Sequence, residues 1–145
     1  MPQTPSWETS VDGDVAYLFV YGGLMRGFDL HGHLAGCTFA GDAWLQGILM
    51  SVGRYPGLID GDGRVQGELY MMSDPPALLE ALDELEDFDP LHPETSVYVR
   101  VVRDVHVHDG TIVPAWAYTY NREVSGLAIV TGGDWRRARP AQEDR

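Results

Sequence analysis

The chain has one cysteine, Cys37, so no intrachain disulfide can staple it and its fold must rest on its own core. Leu34-Ala35-Gly36-Cys37-Thr38-Phe39 has the small, apolar character of core packing and not the electropositive setting that activates a thiol. No apolar run approaches the roughly 18 residues of a membrane span. Positive charge is scarce. Lys+Arg number 10 against 22 Asp+Glu, a formal net charge of -12, which repels phosphate backbones and anionic lipid surfaces and argues against nucleic-acid or membrane partners. Met1 to Asp14 carries Glu8, Asp12 and Asp14 and lacks the basic end and apolar stretch of a signal peptide, so a cytoplasmic location is expected. Familiar catalytic signatures are missing too. There is no GxSxG and no HExxH or cysteine cluster, and the glycine pair Gly22-Gly23 has neither the lysine of a Walker loop nor the third glycine of a dinucleotide-binding turn.

What is present describes one ordinary domain. A length of 145 residues with 44% hydrophobic and 22% charged residues is enough for a single core and too short to expect two. Residues 1–14 read as a flexible leader, 15–135 as the domain and 136–145 as a disordered, aperiodic tail. Val15 to Tyr21 is apolar on both alternating faces, the pattern of a strand buried on both sides, and Gly22-Gly23 stops it. Phe28 to Cys37 has diluted helical spacing. Strands are expected at Ala43–Val52 and Val65–Met72, with Gly53 to Ile59 as a turn-rich connection between them. Ser73-Asp74-Pro75 starts a helix that ends by Asp89-Pro90, because a short polar cap satisfies free N–H groups and proline suits the first turn. The alternation from Val97 to Val107 predicts a half-buried strand, Asp109-Gly110 a hairpin turn, and Val113–Tyr120 its partner, with Pro114 at an edge or bulge.

Within the expected helix, Glu86 is the acid out of place. A wheel of about 100° per residue puts Leu78, Leu79, Leu82 and Leu85 on one side and Glu86 between Leu82 and Leu79, while Glu80, Asp83, Glu84 and Asp87 project away as solvated acids. A carboxylate held against apolar groups loses hydration and its pKa rises toward values useful for moving protons, which makes Glu86 a candidate general base. Gly22-Gly23 at a strand end would bring backbone N–H groups close to a ligand carboxylate or oxyanion; the alternative is an ordinary tight turn. His106 and His108, two apart on a strand, share one face, and His31 and His33 add nitrogen donors, yet no further ligand at a recognisable spacing accompanies them, so no metal site is expected. The tyrosines and Trp116 are numerous for this size and belong mostly to the core and strand faces; some phenols can reach a pocket and nothing local says which, and Tyr55 and Tyr120 stand only as expected substrate contacts.

In order and spacing, several pieces resemble the gamma-glutamylcyclotransferase-like family. They are Leu18-Phe19-Val20-Tyr21-Gly22-Gly23-Leu24-Met25-Arg26-Gly27; Tyr55-Pro56-Gly57-Leu58-Ile59 before Val65-Gln66-Gly67-Glu68-Leu69-Tyr70; Leu82-Asp83-Glu84-Leu85-Glu86; Tyr98-Val99-Arg100; Ala115 to Asn121; and Gly133-Asp134-Trp135. The resemblance implies an α+β fold, a small, mostly antiparallel β-barrel flanked by helices. It implies that Glu86 is the acid/base, that Tyr21, Gly22, Gly23 and Leu24 hold a gamma-glutamyl group, and that no cofactor is needed. Gly23 departs from the family, which usually carries threonine or serine there, and Asp87 stands where glycine is common. The expected activity is a gamma-glutamyl cyclotransferase (transferase or lyase) that releases an amine from a gamma-glutamyl amide by cyclisation to 5-oxoproline. The alternatives are a noncatalytic small-molecule binding domain of the same fold and a histidine-metal hydrolase.

Overall fold

The computed structural model describes residues 15–138; the expected leader at 1–14 and the last seven residues lie outside it. Five strands form a closed barrel: β1 (Tyr17–Val20), β2 (Thr38–Val52), β3 (Tyr55–Met71), β4 (Tyr98–Val107) and β5 (Ile112–Tyr120), in the spatial order β1-β3-β2-β4-β5. Pairing is antiparallel except where β5 meets β1 at Leu18–Trp116 and β3 at Leu58–Thr119, and these two parallel contacts close the barrel. Helix α1 (Pro75–Leu85) and the short helix α2 (Trp135–Ala138) flank it, with single 3-10 turns at His31–Leu34, Pro93–Thr95 and Thr131–Gly133.

The doubly apolar reading of β1 has a simple cause: the strand runs between β3 and β5, and Leu18, Phe19 and Val20 are all buried. Two register shifts in the β2–β3 ladder, after Phe39 and after Gln46, bend the long hairpin round the barrel. Pro114 sits opposite Asp104, in the part of β5 paired only to β4, so its missing N–H faces no second strand.

Two expectations are corrected. Gly53 to Ile59 is not a turn-rich connection; only Gly53 and Arg54 turn, and Tyr55 to Ile59 is strand, paired residue by residue with Val52 to Ile48. Proline and glycine hid this strand from local propensity, but β2 supplies the pairing and Cβ of Tyr120 lies only 2.7 Å from where a Cβ on Gly57 would be. Arg136 and Arg137 are not part of a disordered tail. They lie in α2, whose Trp135 is buried, and Arg136 is ion-paired to Asp134.

Helix α1 begins as expected, with the Asp74 carboxylate facing the Ala77 N–H and prolines in the first turn. It ends earlier than expected. The Asp87 N–H bonds to the Glu84 carbonyl at 3.2 Å and the Phe88 N–H to the Asp83 carbonyl at 2.8 Å, a Schellman closure with Asp87 in the left-handed region at φ 58° and Glu86 as the capping residue.

Candidate active site

One cavity, about 320 Å³, is built from the C-terminal ends of β1, β5 and α1 and the N-terminal ends of β3 and β4. Tyr21, Gly22, Gly23, Leu24 and Leu30 line it from the loop after β1, Tyr55 and Pro56 from the start of β3, Leu85, Glu86 and Asp87 from the end of α1, and Tyr98 and Tyr118 from β4 and β5. Of the predicted site residues, all but Tyr120 meet here. Tyr120 is the register partner of Tyr98 and packs behind it, ring edge to ring face at 5.4 Å, so it supports the wall without forming it.

Glycines let the loop pack closely against the start of β3. A Cβ on Gly22 would lie 2.8 Å from Cδ of Pro56, and one on Gly23 2.8 Å from Cε1 of Tyr55. Carbonyls of this loop are used internally: Gly22 O accepts from the Met25 N–H and Gly23 O from the Leu30 N–H, each at 3.0 Å. The N–H groups of Gly22, Gly23 and Leu24 donate to no other described residue. Unpartnered amides beside a cavity are donors available to an anion.

Glu86 is held at the cavity wall by the end of α1. Its N–H bonds to the Leu82 carbonyl at 2.8 Å, and the helix is fixed in turn by a buried ionic contact one turn earlier. There Asp83 accepts hydrogen bonds from Arg100 Nε at 2.7 Å, Arg100 Nη2 at 3.0 Å and the Tyr118 hydroxyl at 2.7 Å. Asp83, which the wheel sent to solvent, is therefore a buried acid, because β4 and β5 bring a guanidinium and a phenol over that face of the helix. Asp87 is exposed, as the wheel expects, and also borders the cavity. Burial raises the Glu86 carboxyl from its ordinary 4.5 to about 7, with the adjacent Asp87 charge adding to the effect. A group at that value exchanges protons readily near neutrality.

The phenols divide by role. The Tyr21 hydroxyl is occupied, donating to the Tyr118 carbonyl and accepting from the Leu58 N–H at 3.2 Å, so this residue offers the cavity its ring. Tyr98 donates to the Pro56 carbonyl at 2.8 Å, and burial pushes the Tyr98 and Tyr118 phenols well above their ordinary range, so they stay neutral donors. Tyr55 reaches back to Asp29 at 3.1 Å, where Arg54 also pairs at 2.8 Å, tying the start of β3 to the loop. Tyr98 and Tyr118 were not singled out for the site. Their signal was faint: each lies at the end of a strand bordering the helix that carries Glu86, a relation visible only once the strands are placed.

The histidines do not gather. His106 stacks flat on Trp44 at 3.9 Å, His31 donates from Nδ1 to the Leu24 carbonyl at 2.9 Å, and among the described residues no three His, Cys, Asp or Glu side chains are grouped to hold a metal. Cys37 packs partly buried against the core.

A family model described as gamma-glutamyl cyclotransferase, AIG2-like, matches residues 18–137. The chain belongs to this family. It is 30% identical over 119 residues to the gamma-glutamylcyclotransferase family protein YtfP of Escherichia coli K12, covering 81% of this chain and 94% of that protein. It is 32% identical over 121 residues to a putative gamma-glutamylcyclotransferase of Vibrio cholerae, covering 81% and 93%. The solution structure of the Escherichia coli protein aligns with a TM-score of 0.59 at 32% identity, over 82% of this chain and 95% of that one. An AIG2-like protein from Mus musculus shares the fold with a TM-score of 0.68 at 24% identity, over 90% and 98%. Family membership supports a cyclotransferase-type enzyme with a small gamma-glutamyl substrate. No helix among the described residues is long and apolar enough to cross a membrane.

Proposed function

We propose that this protein is a gamma-glutamyl cyclotransferase in which Glu86 is the acid/base and the Gly22–Leu24 amides bind the gamma-glutamyl moiety. One observation carries the reading: a carboxyl raised to about 7 shares a 320 Å³ cavity with a glycine loop whose N–H groups have no acceptor among the described residues. A carboxyl near 7 is ionised to a useful extent at neutral pH and is a stronger base than an ordinary carboxylate, which narrows the gap to the more weakly acidic α-ammonium.

The cavity folds the substrate so that its own α-nitrogen faces its γ-carbonyl carbon, and holding a nucleophile and electrophile in such an orientation can lower a barrier by roughly 7–11 kcal/mol. Ionised Glu86 takes a proton from the α-ammonium. The freed amine forms a C–N bond to the γ-carbon, and the tetrahedral oxygen takes up negative charge facing the loop amides, where loss of one donor in a comparable site costs about 3–4 kcal/mol. Collapse re-forms the carbonyl and breaks the bond to the departing nitrogen, which receives the proton stored on Glu86; the carboxylate, ionised again, takes the second proton from the ring nitrogen and passes it to the released amine. Of the three ammonium hydrogens, one remains on the 5-oxoproline nitrogen and two leave with the amine as its ammonium. The neutral phenols of Tyr98 and Tyr118 and the ring of Tyr21 form the wall against which the chain folds.

The test is incubation with gamma-glutamyl amines, gamma-glutamyl amino acids and acylated aminoglycosides, with and without a chelator, following 5-oxoproline. Chelator-insensitive formation of 5-oxoproline that is lost in Glu86→Gln supports the proposal. Ligand binding without product would indicate a noncatalytic binding domain, and free glutamate in place of 5-oxoproline would indicate hydrolysis; either result rejects it.

A further inference from the structure

A buried acid outside the proposed chemistry holds the glycine loop. Glu68, on β3, has only 1% of its surface exposed and lies directly across the ladder from Val20, the last residue of β1, where the loop begins. Its carboxylate reaches to where the loop returns. Oε1 accepts the backbone N–H of Arg26 at 3.0 Å and the Tyr70 hydroxyl at 2.9 Å, and Oε2 accepts the Arg26 Nε–H at 3.1 Å. Arg136 of α2 stands 3.7 Å from the same Oε2 and is also paired to Asp134 and Asp42. One residue thus fastens both ends of the segment that presents Gly22, Gly23 and Leu24, and links it to the C-terminal helix.

We propose that Glu68 is a positioning residue for the site, closing the loop from Val20 to Arg26 so that its amides face the cavity. Only a carboxylate suits the position. Both of its oxygens are acceptors, and they meet donors from the loop backbone, the loop side chain, β3 and α2; an amide would turn a donor toward Arg26 and Arg136. Bonds from the Met25 and Leu30 N–H groups to the glycine carbonyls and from His31 Nδ1 to the Leu24 carbonyl shape the loop locally, whereas Glu68 is the group that ties Arg26, where the loop returns, to the barrel strand β3. Tyr70, whose phenol is pushed up by burial and by the Glu68 carboxylate, remains a donor to it.

The consequence for substrate rests on the proposed role of the loop amides; the consequence for the loop does not. In the full chain, Glu68→Gln and Glu68→Met are compared with wild type and with Val105→Ala, a buried barrel substitution remote in sequence from the loop, for thermal stability, for amide exchange at Met25 and Leu30, and for KM and kcat. Exchange at Met25 and Leu30 should accelerate at least tenfold in Glu68→Gln, with KM raised at least tenfold and kcat changed less, while Val105→Ala lowers Tm without either effect. Should Glu68→Met fail to fold, Glu68→Gln alone decides. Exchange at both amides within twofold of wild type in a folded Glu68 variant overturns the proposal. If wild type turns over no gamma-glutamyl compound, the functional reading falls, and the exchange result still decides the positioning role.

Discussion

Replacing Glu86 with glutamine should change how stability depends on pH before any substrate is added. The native carboxyl titrates at about 7 because burial penalises its charge, whereas in the unfolded chain it titrates near 4.5. Between those values the folded protein holds a proton that the unfolded chain has released. The stabilising contribution is therefore fully present below pH 4.5 and is lost as pH rises through about 7. A displacement of this size corresponds to about 3 kcal/mol in a dry site, and water entering the cavity reduces it to about 2 kcal/mol. Glutamine has no such transition. Wild type and Glu86→Gln should be similarly stable at pH 4, and the variant should be more stable by about 2–3 kcal/mol at pH 8, or roughly 6–9 °C in Tm for a chain of this length. Urea titrations of both proteins at half-unit intervals from pH 4 to 9 give the difference directly, and titrating groups remote from Glu86 cancel. A difference flat to within about 0.5 kcal/mol, or one in which wild type gains on the variant as pH rises, would falsify the raised carboxyl and with it the base. Turnover in the variant should disappear, and wild-type kcat/KM should rise with pH through about 7 as Glu86 ionises.

Other substitutions probe the surroundings of this group. Asp87→Gly places glycine at φ 58°, relieving about 1 kcal/mol of backbone strain that the unfolded chain's extra freedom partly offsets, so Tm should hold or rise. It also removes the charge that adds to the Glu86 shift, so the pH–rate inflection should move below 7 yet stay above 4.5, because burial is the larger cause; an unmoved inflection rejects the coupling. Asp83→Asn removes the carboxylate that accepts from Arg100 and Tyr118 and should cost about 3 kcal/mol in urea unfolding, and a loss under about 1 kcal/mol would mean the contact is dispensable. Gly23→Thr puts a Cβ 2.8 Å from the Tyr55 ring and should raise KM. Adding Tyr55→Ala should recover much of that loss, with a coupling energy above about 0.5 kcal/mol in the double-mutant cycle, and strict additivity would show that the two residues do not share the space.

Local patterning made a good deal of this protein readable. The alternation of β4, the two apolar faces of β1, the Asp74-Pro75 start of α1 and the inward angle of Glu86 are short-range properties, and each is written in consecutive residues. The strand at Tyr55 to Ile59 escaped because its proline and glycine oppose strand propensity, which pairing with β2 overrides. Asp83 was misplaced for a related reason: the wheel shows which way a side chain leaves the helix, and nothing in it says that Arg100 and Tyr118 wait there. Tyr120 shows the reverse case, a phenol at the end of the right strand whose place at the wall is taken by its cross-strand neighbour Tyr98.

The residues alone determined that the chain is strongly acidic, that an acid lies on the apolar side of a helix end, and that a glycine turn follows a doubly buried strand. Only the closed barrel decided that these two features share a cavity, that Asp83 and Glu68 are buried and paired while Glu86 faces the open space, and that Arg136 of α2 reaches Glu68. Periodicity reports the environment of a side chain along one element, whereas the proton affinity of Glu86 and the partners of the other acids depend on groups that only tertiary packing brings within hydrogen-bond reach.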